Sequence, residues 1–313
     1  MLKYLVKRLL VLLPTLFGVV TLVFFIIRLT PGDPAQLILG EFATPETLVL
    51  VRERLGLNRP LHVQYFTFLY DAFRGDFGRS FRTGRNVMEV VLQYLPYTLQ
   101  LAVAAVIIST SIGMLVGILS AKHRNSAVDY LSSVLGLLGV SMPNFWLGIL
   151  LLWLFALNLR LFPVIGSGAG GNPLKALHYL ILPAFTLGIS TAALTIRMTR
   201  SCMLEVLNQD YIRTARAKGV PEGPVVYNHA LRNALIPVVT IVGLNFGRLM
   251  GGTVLIETVF TRPGLGMILV NAIFARDYPQ VQACTIFYAF AFMIVNLLVD
   301  VLYAYLDPRI KYG

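Results

Sequence analysis

The sequence predicts an all-α integral membrane protein with six transmembrane helices and an external helical subdomain after the first span. Three observations carry that prediction. Hydrophobic residues make up 57% of the 313 and charged residues only 13%, about half the charged fraction of an ordinary soluble domain. The mean hydropathy is +0.73. The apolar residues also gather into uncharged or nearly uncharged runs of roughly 20, the length of a helix that crosses a bilayer. In hydrocarbon each run must satisfy its own backbone hydrogen bonds, which selects helix.

The first run is Leu9 to Ile27. Lys3, Lys7 and Arg8 precede it as in a secretion signal, but it leads to Arg28 and Thr30-Pro-Gly-Asp-Pro34 with no small-residue cleavage pattern, so it reads as a retained span. In the following polar segment, Thr44 to Leu55 predicts an amphipathic helix, with Pro45 in its first turn and Gly56 at its end. His62 to Phe73 predicts a second helix, stopped near Gly75, after a turn at Leu57-Asn-Arg-Pro60. Its Tyr65, Phe66, Phe68, Leu69 and Tyr70 need apolar cover. Either they anchor the segment at the membrane interface or they capture a soluble delivery protein.

Thr98 to Leu119 is the second span and Leu131 to Leu157 the third. Ser141-Met-Pro-Asn-Phe-Trp146 interrupts the third, because Pro143 removes a helical donor and predicts a kink. Asn144 there either relieves the disturbed backbone or lines a pore. The next loop, with Pro163, Gly166, Gly168, Gly170, Gly171 and Pro173, reads as turns and lacks the lysine of a phosphate cradle. Leu177 to Ile196 is the fourth span, Ala234 to Ile256 the fifth with Arg248 inside it, and Val281 to Leu302 the sixth with Asp300 near its end.

Between spans four and five lies a polar, basic insert, Cys202 to Arg232, centred on Asp210-Tyr-Ile-Arg-Thr-Ala-Arg-Ala-Lys-Gly219. Asp210 suits an N-cap, Tyr211 to Lys218 contains good helix formers, and Gly219 with Pro221 ends the helix. The insert predicts either a docking helix for a soluble partner or a basic loop that orients the spans.

Basic residues recur on one side of six spans: Lys3, Lys7 and Arg8, then Lys122 and Arg124, then Arg213, Arg216, Lys218 and Arg232, then Arg309 and Lys311. The positive-inside rule places both termini in the cytoplasm. The external stretch Thr30 to Pro96 is no exception, since its seven arginines are matched by seven acids from Asp33 to Glu89. The formal charge of +11 is spread over short flanking loops without a basic groove, which argues against nucleic acid and fits anionic lipid. Cys202 and Cys284 fall on different sides and offer no disulfide framework.

Polar residues inside the spans are candidates for a translocation path: Asn144, Thr191 and Thr195 at i and i+4, Thr240, Asn245 and Asn296. Each has a packing role as its alternative. The stretch after span five, Glu257-Thr-Val-Phe-Thr-Arg-Pro-Gly-Leu-Gly266, offers an external gate or contact in Glu257, Arg262, Pro263 and Gly264, or a stabilising loop. Asp300 invites a proton-coupling reading, with pairing or access to water as the alternative. The sequence holds no HExxH metal motif, GxSxG elbow, paired-carboxylate site or nucleotide-binding loop.

Several separated motifs together resemble the inner-membrane permeases of the bacterial dipeptide/oligopeptide ABC transporter family. They are Leu29-Thr-Pro-Gly-Asp-Pro34, Leu55-Gly-Leu-Asn-Arg-Pro60 with Gln64-Tyr65, Gly75-Asp-Phe-Gly-Arg-Ser80, the insert Asp210 to Gly219, His229-Ala-Leu-Arg-Asn-Ala-Leu-Ile-Pro237, and Glu257-Thr-Val-Phe with Pro263-Gly-Leu-Gly266. The resemblance implies an ABC importer permease fold, divided as 1–29 (tail and first helix), 30–96 (external subdomain), 97–306 (permease core with coupling insert 202–232) and 307–313 (cytoplasmic tail). It implies a coupling helix in which Tyr211, Ile212, Arg213, Thr214, Ala215, Arg216, Lys218 and Gly219 meet an ATPase subunit. Arg213, Arg216 and Lys218 are expected to orient that interface, and Tyr211, Ile212 and Ala215 to supply its packed face. The general importer pattern of Glu-Ala-Ala followed by Gly places Arg213 and Thr214 in its first two positions, then Ala215 and Gly219. The implied partners are a second permease, two cytoplasmic ATPases that hold ATP and Mg, an extracytoplasmic substrate-binding protein, a peptide and membrane lipid. No cofactor is expected on this chain, and its location is the bacterial inner or cytoplasmic membrane. A proton-driven transporter, a receptor or structural subunit, and an intramembrane enzyme are the alternatives.

Overall fold

Apolar runs and proline positions decide where the helices begin and break. The structure is a computed structural model that describes residues 2–40, 43–168 and 170–306 and, within these, all side chains but those of 2–9, 140, 236, 300 and 302–306. Asp300 therefore falls outside the described side chains, and Asp307, Arg309 and Lys311 outside the described residues. In chain order the helices are α1 (Leu2–Leu29), α2 (Pro34–Leu39), α3 (Pro45–Arg54), α4 (Leu61–Phe73), α5 (Val87–Lys122), α6 (Ala127–Ser141), α7 (Asn144–Leu151), α8 (Pro173–Leu207), α9 (Asp210–Ala217), α10 (Glu222–Pro224), α11 (Leu231–Val259), α12 (Leu265–Phe274) and α13 (Tyr278–Leu306). Single π-helical turns continue α7 over Leu152–Asn158 and lead into α11 over Val225–Ala230.

Among the described residues five helices, α1, α5, α8, α11 and α13, are individually long and apolar enough to cross a membrane. The third predicted span is instead the pair α6 and α7, bent by 105° at a short break, so the chain has six spans if that pair counts as one. The break falls at the predicted proline. Met142, ahead of Pro143, takes an extended ψ of 131°, as the residue before a proline is pressed to do. Ser141 returns its hydroxyl to Leu137 O at 2.9 Å and occupies a carbonyl at the helix end.

The chain divides into two compact units, one built on 99–262 with the helix from Ile294, the other on 6–98 with 263–293. The first unit is a helical bundle whose core joins Leu101 and Ala105 of α5, Leu182 and Leu187 of α8, and Leu249, Ile256 and Phe260 around α11. Small residues set the spacing of α5 and α8. A Cβ on Gly113 would lie 2.5 Å from Thr195 Cβ, and one on Gly117 2.6 Å from Thr199 Cβ. At one end Asp129 ties three helices together: its carboxylate accepts from Arg200 Nε and Nη2 at 2.6 and 2.8 Å, Ser120 Oγ at 2.5 Å and the Asn125 N–H at 3.0 Å. It is 4% exposed, so each lone pair needs such a donor.

In the second unit the segment expected to form an external subdomain of its own is clamped to α1. Tyr65 of α4 packs on Phe24 with ring centroids 5.1 Å apart and shares a hydroxyl hydrogen bond with Thr21 at 2.7 Å. Phe68 stacks on Phe24 at 5.7 Å. Gln64 accepts from Arg28 Nε at 2.9 Å and donates to Arg59 O at 2.8 Å, binding the turn before α4 to the end of α1. The motifs around 29–34 and 75–80 are joints of this unit. Asp33 caps α2 through the Ala35 N–H at 2.9 Å and pairs with Arg52 at 2.5 Å. Ser80 donates to the buried Asp277 at the head of α13 at 2.5 Å, and the Phe81 N–H reaches the same carboxylate at 3.0 Å. The sequence predicts neither α2 nor α12; α12 begins at the end of the stretch Glu257 to Gly266, which reads as an external gate or contact, or a stabilising loop.

Candidate coupling handle and passage

The basic insert folds as a short helix held at the ends of the spans. Helix α9 covers Asp210–Ala217, with Gln209 in the N-cap position and no side-chain cap bond. The expected N-cap, Asp210, is thus the first helical residue, and its carboxylate lies 3.7 Å from Arg213. Gly219 adopts φ +79°, the left-handed conformation that makes glycine the favoured terminator. One side of α9 faces inward. Ile212 is fully buried, in a cluster with Ile118 and Ala121 of α5, Met203 of α8, Val225, Val226 and Ala230 of the π-helical turn and Ala234 of α11. Ala215 packs against the same cluster.

This orientation corrects the assignment of the packed face. Ile212 and Ala215 are spent on the chain's own spans, and the side left to a partner presents Tyr211, Arg213, Thr214, Arg216 and Lys218. Two further bonds fix the handle. Arg216 donates to both Glu222 oxygens at 2.7 and 3.3 Å, and Asn233 Nδ2 donates to the Tyr211 hydroxyl at 2.8 Å. The Arg216 guanidinium holds the Glu222 carboxyl below its ordinary range.

The polar residues of the spans separate into two groups. Thr195 is 1% exposed and packs over Gly113, while the Thr191 hydroxyl donates to Gly188 O at 3.0 Å and shares a hydrogen bond with the Ser109 hydroxyl at 2.9 Å. The Thr191 hydroxyl joins α8 to α5, while that of Thr195 bonds Thr191 O in its own helix and its Cβ and methyl meet Gly113. Asn245 is buried at 5% with Nδ2 lacking a partner among the described residues, whereas Asn144, Thr240 and Asn296 are half-buried. What α11 leaves uncovered is a different set. Pro237, Leu244, Arg248, Gly251, Leu255 and Thr258 are all exposed, and their spacing of three, four and seven residues puts them on one helix face. The sequence showed Arg248 inside a span but not that its face of α11 is the one left uncovered.

Glu257 and Arg262 are 0% and 1% exposed, so they stand inside the protein rather than at an open mouth. The Arg262 N–H closes the end of α11 on Glu257 O at 2.8 Å, and its guanidinium reaches Gln100 at 3.4 Å. In the second unit Gly264 is buried and extended, and the following Leu265 N–H donates to Thr98 Oγ1 at 2.8 Å. Pro263 is half-buried. Asp129, Arg200 and Asp277 escaped the sequence reading because the Arg200–Asp129 and Ser80–Asp277 bonds form only after distant segments meet.

Apolar helices crossing a bilayer, a basic handle seated on their ends and an uncovered helix face that carries Arg248 define a multi-pass membrane protein. Residues 113–312 match the family described as binding-protein-dependent transport system inner membrane component, and residues 1–102 match the family described as its N-terminal membrane component. The chain belongs to this family of transport permeases. It is similar to the dipeptide transport system permease protein DppB of Alkalihalophilus pseudofirmus, 46% identical, and to the glutathione transport system permease protein GsiC of Salmonella typhimurium, 46% identical, with all of each chain covered. GsiC of Escherichia coli is 45% identical over the full length of both. Among solved structures, inward-facing MetNI, a methionine ABC transporter, superposes with a TM-score of 0.56 at 18% identity, over 70% of this chain and 97% of that one. An amino acid ABC transporter matches with a TM-score of 0.50 at 15% identity, over 71% and 94%. These two likenesses concern the fold.

Proposed function

We propose that this chain is the permease subunit of an ATP-driven importer of di- or oligopeptides, pairing with a second permease above two cytoplasmic ATPases and receiving cargo from an extracytoplasmic binding protein. The observation that carries the reading is the seat of α9: its buried Ile212 sits in one cluster with α5, α8 and α11, so a push on the exposed side of the handle is delivered to several spans at once. Interiors this closely packed transmit displacement instead of absorbing it. ATP and Mg belong to the ATPases, where binding draws them together and hydrolysis resets the pair; this chain itself performs no covalent chemistry. Alternating access then follows from two arrangements of the spans biased by the ATPases.

The cargo class is supported by the relatives, whose named cargoes, dipeptide and glutathione, are short amide-linked chains. The exposed α11 stripe is our candidate wall of the passage. Arg248 stands on it without a partner among the described residues, and a charge inside a span belongs against water, substrate or another chain. The handle, both termini and the Lys122–Arg124 turn face the cytoplasm on the positive-inside argument. The test is uptake of a labelled dipeptide by vesicles holding the four-subunit complex. Wild type takes up peptide only with ATP inside the ATPase compartment, and Thr214→Trp, on the exposed side of α9, weakens coupling by about five-fold or more while the complex still assembles. Uptake by this chain without ATPases, driven by a proton gradient, overturns the proposal.

A further inference from the structure

The second unit carries a groove whose lining changes from apolar to cationic along the axes of α1 and α13. It has a volume of about 430 Å³, within the ~300–1,000 Å³ of small-molecule sites. Its walls are Val23, Ile26 and Ile27 of α1 and Val281 and Thr285 of α13, and its upper end holds Thr30, Arg276 and Tyr278. Because α1 ends at Leu29 and α13 begins at Tyr278, the apolar walls lie in the outermost turns of two spans and the polar end lies just beyond them, at the level of lipid headgroups.

The polar end has positive charge to spare. Arg276 adopts φ +50°, and its guanidinium lies where a Cβ of residue 32 would be, 2.1 Å from that position, so only glycine at 32 leaves room for it. That guanidinium makes no hydrogen bond or ion pair among the described residues. Arg28 lies with Cζ 5.7 Å from the Tyr278 ring centroid, and its Nη1 is buried without a hydrogen-bond partner. Asp33, the carboxylate whose charge is felt at Tyr278, is already held by Arg52 at 2.5 Å. Arg28 is otherwise engaged, donating to Gln64 at 2.9 Å and lying 3.6 Å over the Phe24 ring, so Arg276 is the groove-lining cation with which an anionic oxygen pairs.

We infer that the groove is a specific site for an anionic phospholipid of the leaflet at which α1 ends and α13 begins, with one acyl chain along Val23, Ile27 and Val281 and the phosphate at Arg276. Depth argues for this occupant: a soluble anion has no use for the apolar walls, and a helix of another subunit does not supply a phosphate at their end. The inference depends on the membrane setting alone and is independent of which cargo is carried.

The experiment uses the intact transporter complex, stripped of lipid in detergent and then offered phosphatidylglycerol or diacylglycerol with the same chains, with retained lipid counted by native mass spectrometry. Phosphatidylglycerol is expected to be retained about five-fold better, the worth of one interfacial cation, and Arg276→Gln removes most of that preference. A photoreactive residue in place of Ile273, which lines the groove, is expected to label the lipid. Equal retention of the two lipids by the unaltered protein overturns the inference without reliance on any variant, as does photolabelling of the second permease in place of lipid.

Discussion

Asp277 shows how one buried carboxylate holds two distant stretches of the chain. Its oxygens are occupied by the Ser80 hydroxyl at 2.5 Å and the Phe81 N–H at 3.0 Å, with the Gln280 N–H at 3.5 Å, and it is 3% exposed. Asp277→Ala takes the acceptor away from those donors, a loss of about 1–3 kcal/mol for each group left buried and unpaired. Thermal unfolding of the purified complex should therefore begin at a clearly lower temperature than in wild type. Ser80→Ala should cost less, since a backbone N–H still faces the carboxylate. The Arg216–Glu222 pair gives a contrasting case at the surface. Arg216 lowers the Glu222 pKa, so the pairing contributes fully above the ordinary glutamate range and is lost as pH falls through the depressed value of the folded state. Glu222→Gln should remove that acid-side dependence, read from the mobility of a spin label at Lys218 between neutral pH and pH ~3.

At the scale of the element, helices α5 and α8 meet through glycine, and their stability depends on keeping it. Because a Cβ on Gly113 would come within 2.5 Å of Thr195 Cβ, Gly113→Val forces the two helices apart, an overpacking worth about 1–3 kcal/mol. Its expected signature is a lower melting temperature of the complex, whereas Gly18→Val, with nothing within 4 Å of the would-be Cβ, leaves it unchanged. Elements of this kind differ in how far they were legible. Apolar runs placed α1, α5, α8, α11 and α13, and proline placed the break before α7, because hydropathy and missing donors are local properties. The short α9 was legible for the same reason, through helix formers closed by Gly219. Which way α9 turns was not: Tyr211, Ile212 and Ala215 look equally fit for a partner until Ile118, Met203 and Val226 arrive from elsewhere in the chain. For the polar residues the packing was likewise hidden: Thr191 and Thr195 carry the hydroxyls named for a path, and their contacts with Ser109 and Gly113 exist only once α5 and α8 meet.

For the whole molecule, the bent pair α6–α7 decides the topology. Between Thr83 and Lys218 the chain passes along α5, the bent pair and α8. If the pair crosses, there are three crossings and the two residues lie on opposite sides; if it turns back at Pro143, there are two and they share a side. The bend of 105° is compatible with either path, but the basic turn at Lys122 and Arg124 and the basic handle at Arg213, Arg216 and Lys218 share a sign that favours the same side for both. That requires an even number of crossings between Lys122 and Arg213, which the bent pair and α8 supply only if the pair crosses. Thr83→Cys and Lys218→Cys, each made singly, place thiols at exposed positions, while the native Cys202 and Cys284 are buried. A membrane-impermeant maleimide should label Thr83→Cys in intact cells and Lys218→Cys only after the membrane is opened. Labelling of both from one side would make α6–α7 a re-entrant loop, leave five spans, and separate the two termini across the membrane.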